Sequence, residues 1–358
     1  MRTRILILTL VSAFALVGVS ACSSSSTSSG TAKHGSSRGT VTLVTHDSFA
    51  VSKPVLAAFT RTTGWKVRIL KNGDAGAELN QVILTKSAPL GDAMFGLDNT
   101  FLSRALDEHV FATYPAPRLD QVPHALRLDP TNHATPIDFG DVCINADKKW
   151  FASHHVTIPQ SLDDLTDAKY RDLLVVENPS TSSPGLAFVA ATVAHFGNGW
   201  LPYWDRLRAN GVLAVDGWEQ AYNGEFSGAA GSKGTRPLVV SYASSPPAEV
   251  YFAKPEPTKA PTVSLDKTCF RQVEFAGVLR GAAHPEAARR LIDFMLSQRF
   301  QRDMPLTMFV DPAVPNTPLP PEFTKFAVVP AKPFTLSPAR IGRDRATWID
   351  QWTAHVLR

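Results

Sequence analysis

The sequence predicts an α/β protein in which helices cover a mainly parallel sheet. Strand, turn and helix alternate from Val41 onward, and the same alternation resumes after residue 137. About 318 residues remain from Val41, which is enough chain for two lobes with separate cores. We therefore expect two lobes, each with its own mainly parallel sheet.

Three short β-rich runs alternate with helices in the first part of the chain. The predicted strands are 41–45, 65–70 and 93–97, and the predicted helices are 51–62, 78–86 and one that opens after Asp98. Apolar residues recur on one face of the first helix, at Val55, Leu56 and Phe59. This spacing predicts that the helix packs onto the sheet.

The second part repeats the pattern with strands at 173–176 and 238–242. A polar loop at 178–185 leads into an apolar helix at 186–196, and surface loops are predicted at 224–237 and 255–261. Helices follow at 285–296 and 338–358. The last carries Trp348 and Trp352 four residues apart, which we interpret as two aromatic side chains docked on the body of the protein.

The N-terminus predicts export. Arg2 and Arg4 precede an apolar run at 5–19, which is too short to span a membrane and is typical of a signal peptide. The run ends in Val-Ser-Ala-Cys, which resembles a lipobox, so we expect cleavage after residue 21 and lipidation of Cys22. A Ser-rich stretch follows, and residues 22–40 are predicted to form a flexible tether at the outer face of the cell membrane.

The net charge argues against one class of function, and the cysteine content predicts a covalent cross-link. The formal net charge of +4 falls to +2 without the two arginines of the signal peptide, too little to predict nucleic-acid binding. Outside the membrane, Cys143 and Cys269 are expected to form a disulfide rather than a metal site, and two buried free thiols are the alternative. A bridge would close a loop of about 127 residues and contribute at most about 4–5 kcal/mol.

Motifs for catalysis are missing from the sequence. It contains no Gly-x-Ser-x-Gly elbow, no His-Glu-x-x-His pair, no Walker A loop and no Gly-x-Gly-x-x-Gly. His154 and His155 are adjacent in a predicted loop and are interpreted as surface residues. We expect neither an enzyme nor a resident cofactor or metal, although scattered residues can still form a hydrolase.

Polar residues follow the predicted strands and suggest a ligand cleft at the carboxyl ends of the sheet. They include Asp47, Asp74, Asp98 and the serines at 182–183 and 244–245. Trp218 and Tyr222 lie one helical turn apart, and such aromatic faces attract cations by about 0.5–2 kcal/mol per contact. This combination favours a flat, cationic organic ligand, although core packing also accounts for such an aromatic pair.

Several segments, in order, are similar to the thiamine-binding subunit of bacterial thiamine ABC importers, a type II periplasmic binding protein. The resemblance spans Val41 to the C-terminus and is carried by the segments Thr45–Ala50, Gly96–Asn99, Asp138–Gly140, Pro179–Leu186, Gly217–Tyr222, Val240–Pro246 and Gln272–Glu274. It implies two lobes joined by crossover strands. The implied segments are 41–137 for the first part of lobe 1, 138–272 for lobe 2, and 273–358 for the return to lobe 1 and C-terminal helices.

The resemblance also implies a set of ligand contacts. They are Asp74, Ala75, Ser182, Ser183, Trp218, Tyr242, Ala243, Ser244, Ser245 and Pro246, with His46, Asp47, Asp98, Tyr222 and Phe309 as further cleft residues. Trp218 and Tyr242 would stack on the ligand rings, Asp74 would bond the aminopyrimidine edge, and the serine loops would hold the remaining polar or phosphate end. His46 and Phe309 depart from the family, which often has Tyr and Trp there.

Together with the lipid anchor predicted at Cys22, the resemblance implies a monomeric receptor that closes by a hinge and docks on a membrane permease. Its implied ligand is thiamine, with thiamine phosphates as further candidates. The hinge would lie at 136–142 and 270–277. Receptors of the same fold for a polyamine or ferric ion are the alternatives, followed by a secreted hydrolase. Iron receptors commonly use adjacent tyrosines, whereas Tyr242 precedes Ala243.

Overall fold

The fold is described from a computed structural model, which defines residues 38–357. The predicted signal peptide and Cys22 lie outside these residues, as does most of the predicted tether. The strands of the described chain are β1 (Gly39–Thr45), β2 (Trp65–Lys71), β3 (Ala93–Asp98), β4 (Phe111–Ala112), β5 (Thr135–Asp147), β6 (Leu174–Glu177), β7 (Leu213–Val215), β8 (Leu238–Tyr242), β9 (Thr262–Ser264), β10 (Phe270–Leu279) and β11 (Asp311–Pro312).

Helices cover the sheet between these strands. They are α1 (Lys53–Thr63), α2 (Ala75–Leu84), α3 (Leu102–Asp107), α4 (Lys148–Ser153), α5 (Ser183–Phe196), α6 (Trp200–Ala209), α7 (Ser245–Phe252), α8 (Pro285–Met295), α9 (Gln298–Gln301), α10 (Met304–Thr307), α11 (Pro321–Phe326) and α12 (Pro338–Val356). A π-helix occupies Gln220–Glu225. Among the described residues, no helix combines the length and apolar character needed to cross a membrane.

Two parallel groups of strands are joined by an antiparallel centre. The strand order is β2-β1-β3-β10-β5-β8-β6-β7, with β4, β9 and β11 added to the central strands. We call β2-β1-β3 the first flank and β8-β6-β7 the second flank, and each is parallel. Between them β10 and β5 run antiparallel to each other, with Glu274 opposite Asp138. The predicted combination of parallel sheets and crossover strands is confirmed.

Three elements begin earlier than predicted. The strand β1 starts at Gly39, and α2 and α5 each start three residues before the predicted positions 78 and 186. Asp74 caps α2 by accepting the N–H of Ala75, and Ser182 caps α5 by accepting the N–H of Gly185. A segment predicted as loop therefore becomes the first turn of α5, because Pro184 suits that turn.

The aromatic side chains of α12 pack as the sequence predicted. Trp352 is fully buried and Trp348 nearly so. The ring of Trp352 meets that of Trp204 on α6 edge to face, with centroids 5.5 Å apart. The two tryptophans of the C-terminal helix are thus part of the core.

Cys143 and Cys269 form a disulfide with an S–S distance of 2.04 Å. Cys143 lies on β5, and Cys269 directly precedes β10, so the bond joins the two crossover strands where they approach the second flank. Both residues are buried. The predicted pairing is therefore present in the structure.

Replacing both cysteines by alanine should lower the free energy of unfolding by about 3–5 kcal/mol. The bond spans 126 residues of sequence, and closing so long a loop removes much conformational entropy from the unfolded chain. Denaturant titration of the oxidised protein, the reduced protein and the double variant measures this loss. A midpoint shared by all three would contradict the expected stabilisation.

Candidate functional site

A cavity of about 490 Å³ opens where the parallel strands of both flanks end. This volume lies within the range of about 300–1,000 Å³ found for ligand pockets. His46 follows β1, Asp74 follows β2, Ser183 follows β6, Trp218 follows β7 and Ser245 follows β8, and all five residues line the cavity. The predicted location at the carboxyl ends of the strands therefore agrees with the topology.

Stacked aromatic side chains form one wall of the cavity. The rings of Trp218 and Tyr222 are nearly parallel, at 13°, with centroids 4.9 Å apart. The Trp218 indole donates to Ser241 Oγ at 2.9 Å, and the Tyr222 hydroxyl donates to Glu249 Oε1 at 2.8 Å. Tyr242 lies farther along the wall, its ring 6.5 Å from that of Trp218. These bonds hold the orientation of flat surfaces suited to ring stacking.

The backbone that carries this wall is unusual. Tyr222 lies within the π-helix Gln220–Glu225, and Trp218 occupies the helical turn that leads into it. π-Helices are rare and occur frequently at functional sites. The feature supports a binding role for the wall.

The carboxylate of Asp74 connects elements from both flanks. Its Oδ1 accepts the N–H of Ala75 at 2.6 Å and that of Ser183 at 3.5 Å, and its Oδ2 accepts the N–H of Trp218 at 2.9 Å. Burial raises the pKa of Asp74, and the backbone hydrogen bonds oppose that shift. A hydrogen bond from the Ser182 side chain also opposes the shift, so most acceptor sites of this carboxylate are engaged within the protein.

Three buried carboxyl groups lie in or behind one part of the cavity lining. Glu274 lines it, while Asp138, opposite on β5, and Asp98, at the end of β3, lie behind the lining. Burial raises the pKa of Asp138 to about 7 and that of Asp98 to about 6. Burial, followed by repulsion from Asp138, raises the pKa of Glu274 well above its usual value. The region retains protons that a nearby cation would displace.

His46 carries no positive charge that would balance these carboxyl groups near pH 7. Its Nδ1 contacts Ser48 Oγ at 2.9 Å, while its Nε2 has no hydrogen-bond partner and lies 3.9 Å from Glu274 Oε1. Burial lowers the pKa of His46 to about 4, so the imidazole is neutral near pH 7. The pH response of the site therefore rests on the carboxyl groups.

The predicted serines mostly bond within the protein. Ser182 is fully buried as the cap of α5, and Ser183 Oγ contacts the amide of Gln272. Ser245 Oγ lies 2.8 Å from Ser241 Oγ, and the Ser244 hydroxyl donates to the carbonyl oxygen of Phe309. These groups shape the cavity, and only Ser183 and Ser245 among the predicted serines line it.

The structure brings together many of the residues singled out from the sequence. The predicted residues that line the cavity are His46, Asp74, Ala75, Ser183, Trp218, Tyr222, Tyr242, Ser245 and Phe309. Those that do not line it are Asp47, Asp98, Ser182, Ala243, Ser244 and Pro246. Of this second group all except Asp47 are buried. One of them, Ser244, donates a hydrogen bond to the carbonyl oxygen of the lining residue Phe309.

The sequence did not single out several lining residues, among them Glu219, Asn223, Glu249, Phe252, Glu274 and Met308. Phe252 is 58% exposed and approaches Phe309 with ring centroids 5.5 Å apart, so both rings lie at the mouth of the cavity. Phe252 and Met308 carry no feature that a sequence pattern would single out for binding. Glu274 did lie in a segment of the family resemblance, which was the available clue.

A metal centre is not evident in this region. Among residues 38–357, no cluster of three or more His, Cys, Asp or Glu side chains is placed to hold a metal ion. The cavity is instead suited chemically to a planar organic molecule, with ring faces on one side and carboxylate acceptors around it.

Solved structures with the same fold include a periplasmic thiamin binding protein. It superposes with a TM-score of 0.78 at 26% identity, over 89% of this chain and 96% of that one. The periplasmic binding protein AfuA from Actinobacillus pleuropneumoniae superposes with a TM-score of 0.74 at 16% identity, over 90% of this chain and 99% of that one. The type II periplasmic-binding-protein fold predicted from the sequence is confirmed.

Relatives identified by sequence are also periplasmic binding proteins. The thiamine-binding periplasmic protein of Escherichia coli K12 is 28% identical over 89% of this chain and 94% of its own length. That of Brucella suis is 26% identical over 99% of this chain and 100% of its own. Residues 92–329 match the family model of bacterial extracellular solute-binding proteins. This protein belongs to the bacterial extracellular solute-binding protein family.

Proposed function

We propose that this protein is a lipid-anchored receptor that captures thiamine and delivers it to an ABC permease. The stacked wall of Trp218 and Tyr222 beside a carboxylate-lined cavity carries the proposal. Thiamine joins a flat aminopyrimidine to a thiazolium ring with a permanent positive charge. Rings of this kind suit aromatic faces, and the cation suits the carboxyl groups.

Each part of thiamine finds a matching group in this proposal. Trp218 stacks on a ligand ring with the face that Tyr222 leaves uncovered, and Tyr242 contacts the second ring. The Asp74 carboxylate, held in place by backbone N–H groups, also accepts a hydrogen bond from the amino group of the pyrimidine. Glu274 lies in the cavity lining, where it stabilises the positive charge.

Hinge closure is the proposed mechanism. In this proposal the protein binds its ligand and catalyses no reaction. The crossover strands β5 and β10 connect the flanks, and bending within them would move lobe 2 (138–272) relative to 41–137 and 273–358. Asp74 supports this mechanism because its hydrogen bonds to Ser183 and Trp218 join elements of the two flanks. The disulfide keeps the two strands together while they bend.

Replacing Trp218 by alanine should weaken thiamine binding by about 2 kcal/mol, or about thirtyfold in Kd, because a stacking surface is lost. Titration calorimetry with the wild type and variant measures the change. Trp150→Ala is the matched control, since Trp150 also stacks on a neighbour four residues away, His154, but lies outside the cavity lining. An equal loss in both variants would indicate a general effect on the fold.

Three measurements test the proposed ligand and the alternative functions. Absence of heat with thiamine and its phosphates would remove thiamine as the ligand. Tight binding of spermidine in competition with thiamine would favour the polyamine receptor, which also needs carboxylates along an aromatic slot. Recovery of a phosphate ester as free phosphate, abolished by Ser182→Ala, would favour a hydrolase.

Thiamine binding should release protons between pH 6 and 7. The thiazolium cation lowers the pKa of nearby carboxyl groups, and in the free protein these are about 7 for Asp138 and about 6 for Asp98. Affinity should fall as the pH drops below 6, by about tenfold per pH unit for each proton released. Calorimetry in buffers of different ionisation enthalpy counts the protons, and Asp138→Asn should reduce the count. Proton uptake would contradict this assignment.

The proposed anchor is tested by Cys22→Ser in the full-length precursor. The wild-type protein should fractionate with membranes, and the variant should be released, because its sulfur acceptor for lipid is gone. A tether of about 19 residues would then keep the receptor near its permease and raise its effective concentration there. Equal fractionation of both proteins would argue against the anchor.

A further inference from the structure

Basic side chains gather toward the amino ends of β1 and β2, away from the cavity. The two strands run parallel, so their amino ends meet at one edge of the first flank. Arg38 precedes β1, and Arg61 lies in the last turn of α1. Lys66 and Arg68 lie on β2, and all four residues are exposed. We call these four residues the basic surface.

Local contacts bring the basic surface together. The N–H of Arg38 donates to the carbonyl oxygen of Gly64, the residue between α1 and β2, at 2.8 Å. Arg68 Nε donates to the hydroxyl of Thr42, its partner in the parallel register, at 3.1 Å. Residues two apart on a strand lie on the same face, so Lys66 and Arg68 project from one side of the sheet.

Acidic side chains do not balance the basic surface. Residues 48–73 contain five Lys or Arg and no Asp or Glu, so the positive charge has no acidic neighbour within this segment. Among the described residues, none of the four cations forms an ion pair. Asp92 lines a groove beside Arg68, but it is buried and accepts two backbone N–H groups, at 2.8 and 2.7 Å. Glu286 pairs with Arg289 at 2.6 Å.

Protection of the sheet edge accounts for only part of this pattern. The strand β2 is at the edge of the sheet, and exposed cations on such a strand discourage pairing between molecules. Arg38 and Arg61 lie outside the strand and do not act in this way. They extend the positive charge to the place where the proposed tether joins the first flank.

We propose that the basic surface binds anionic phospholipid headgroups and gives the tethered receptor a second contact with the membrane. The proposal rests on the lipid anchor proposed at Cys22, which holds the basic surface within reach of the bilayer. Lys and Arg side chains are attracted to an anionic bilayer within about a Debye length, which is about 8 Å at physiological ionic strength. Four exposed cations on one part of a folded surface can share this attraction.

Contact at the basic surface leaves the cavity open to solution. The strands β1 and β2 each have seven residues and run from the basic surface toward His46 and Asp74 in the cavity lining. A strand rises about 3.3 Å per residue, so about 20 Å of strand separates the amino ends from the cavity. A receptor held on lipid by this surface therefore still has access to ligand in solution.

Vesicle sedimentation tests the proposal with the mature chain carrying Cys22→Ser, which has no lipid of its own. Vesicles of phosphatidylglycerol and phosphatidylcholine in equal parts should bind it at about 0.1 M salt, and phosphatidylcholine alone should not. At about 1 M salt the Debye length falls to about 3 Å, and the protein should be released. Equal binding to both compositions, or to neither, would overturn the proposal. A salt wash would likewise free the Cys22→Ser protein from cell membranes.

Two matched variants locate the attraction on the protein. The variant of the basic surface combines Arg38→Gln, Arg61→Gln, Lys66→Gln and Arg68→Gln, and its vesicle partition coefficient should fall at least about tenfold. The control variant loses the same charge at four exposed lysines outside that surface and should bind like the parent chain; its changes are Lys149→Gln, Lys233→Gln, Lys259→Gln and Lys267→Gln. An equal fall in both variants would assign binding to net charge and overturn the basic surface.

Thermal melting shows whether each variant is folded. Should the fourfold variant of the basic surface fail to fold, the double variant Arg61→Gln, Lys66→Gln takes its place and should still bind vesicles more weakly than the control.

Soluble phosphate compounds provide the remaining comparison. Displacement of the protein from vesicles by inorganic phosphate at constant ionic strength would overturn the assignment to lipid, as would tighter binding to soluble polyphosphate. Failure of vesicle binding is distinct from failure of the proposed anchor, because the Cys22→Ser chain carries no lipid and fractionation of the precursor reports on the anchor. Calorimetry with thiamine reports separately on the cavity.

Discussion

The antiparallel pairing of β5 with β10 is the contact on which the two flanks of the sheet depend. The first flank pairs with β10 and the second with β5, so this one ladder carries the connection between them. It also places Glu274, which lines the cavity, opposite Asp138. The strands that join the flanks therefore also supply charge to the site, and any bending of them changes the surroundings of these carboxyl groups.

The acidity of the cavity has a cost for the ligand-free protein. Asp138 is fully buried beside Glu274, and burial raises its pKa. Buried groups of this kind oppose folding at neutral pH unless protonated or paired. In the proposed site a cationic ligand would relieve this cost, and that relief would contribute to the free energy of binding. The proposed site would thus exchange local stability for affinity.

Much of the fold follows from local sequence patterns, whereas parts of the site depend on distant pairing. Short β-rich runs predicted β1, β2 and β3 to within two residues at each end, and Trp352 was correctly assigned to the core. The start of α5 was missed because Ser-Pro-Gly is equally typical of a turn, and capping decides between them. Glu274 becomes a cavity residue through its strand register with Asp138, which no short window contains.

The disulfide has a further consequence for the protein in its surroundings. The bond between Cys143 and Cys269 encloses all of the second flank, including the exposed residues at 230–235 and 254–259. Extracytoplasmic proteins encounter proteases, and exposed loop tips are the preferred places for a backbone cut. After one cut in either loop, the two fragments remain covalently joined across the crossover strands. A single proteolytic cut therefore does not release either fragment of the receptor.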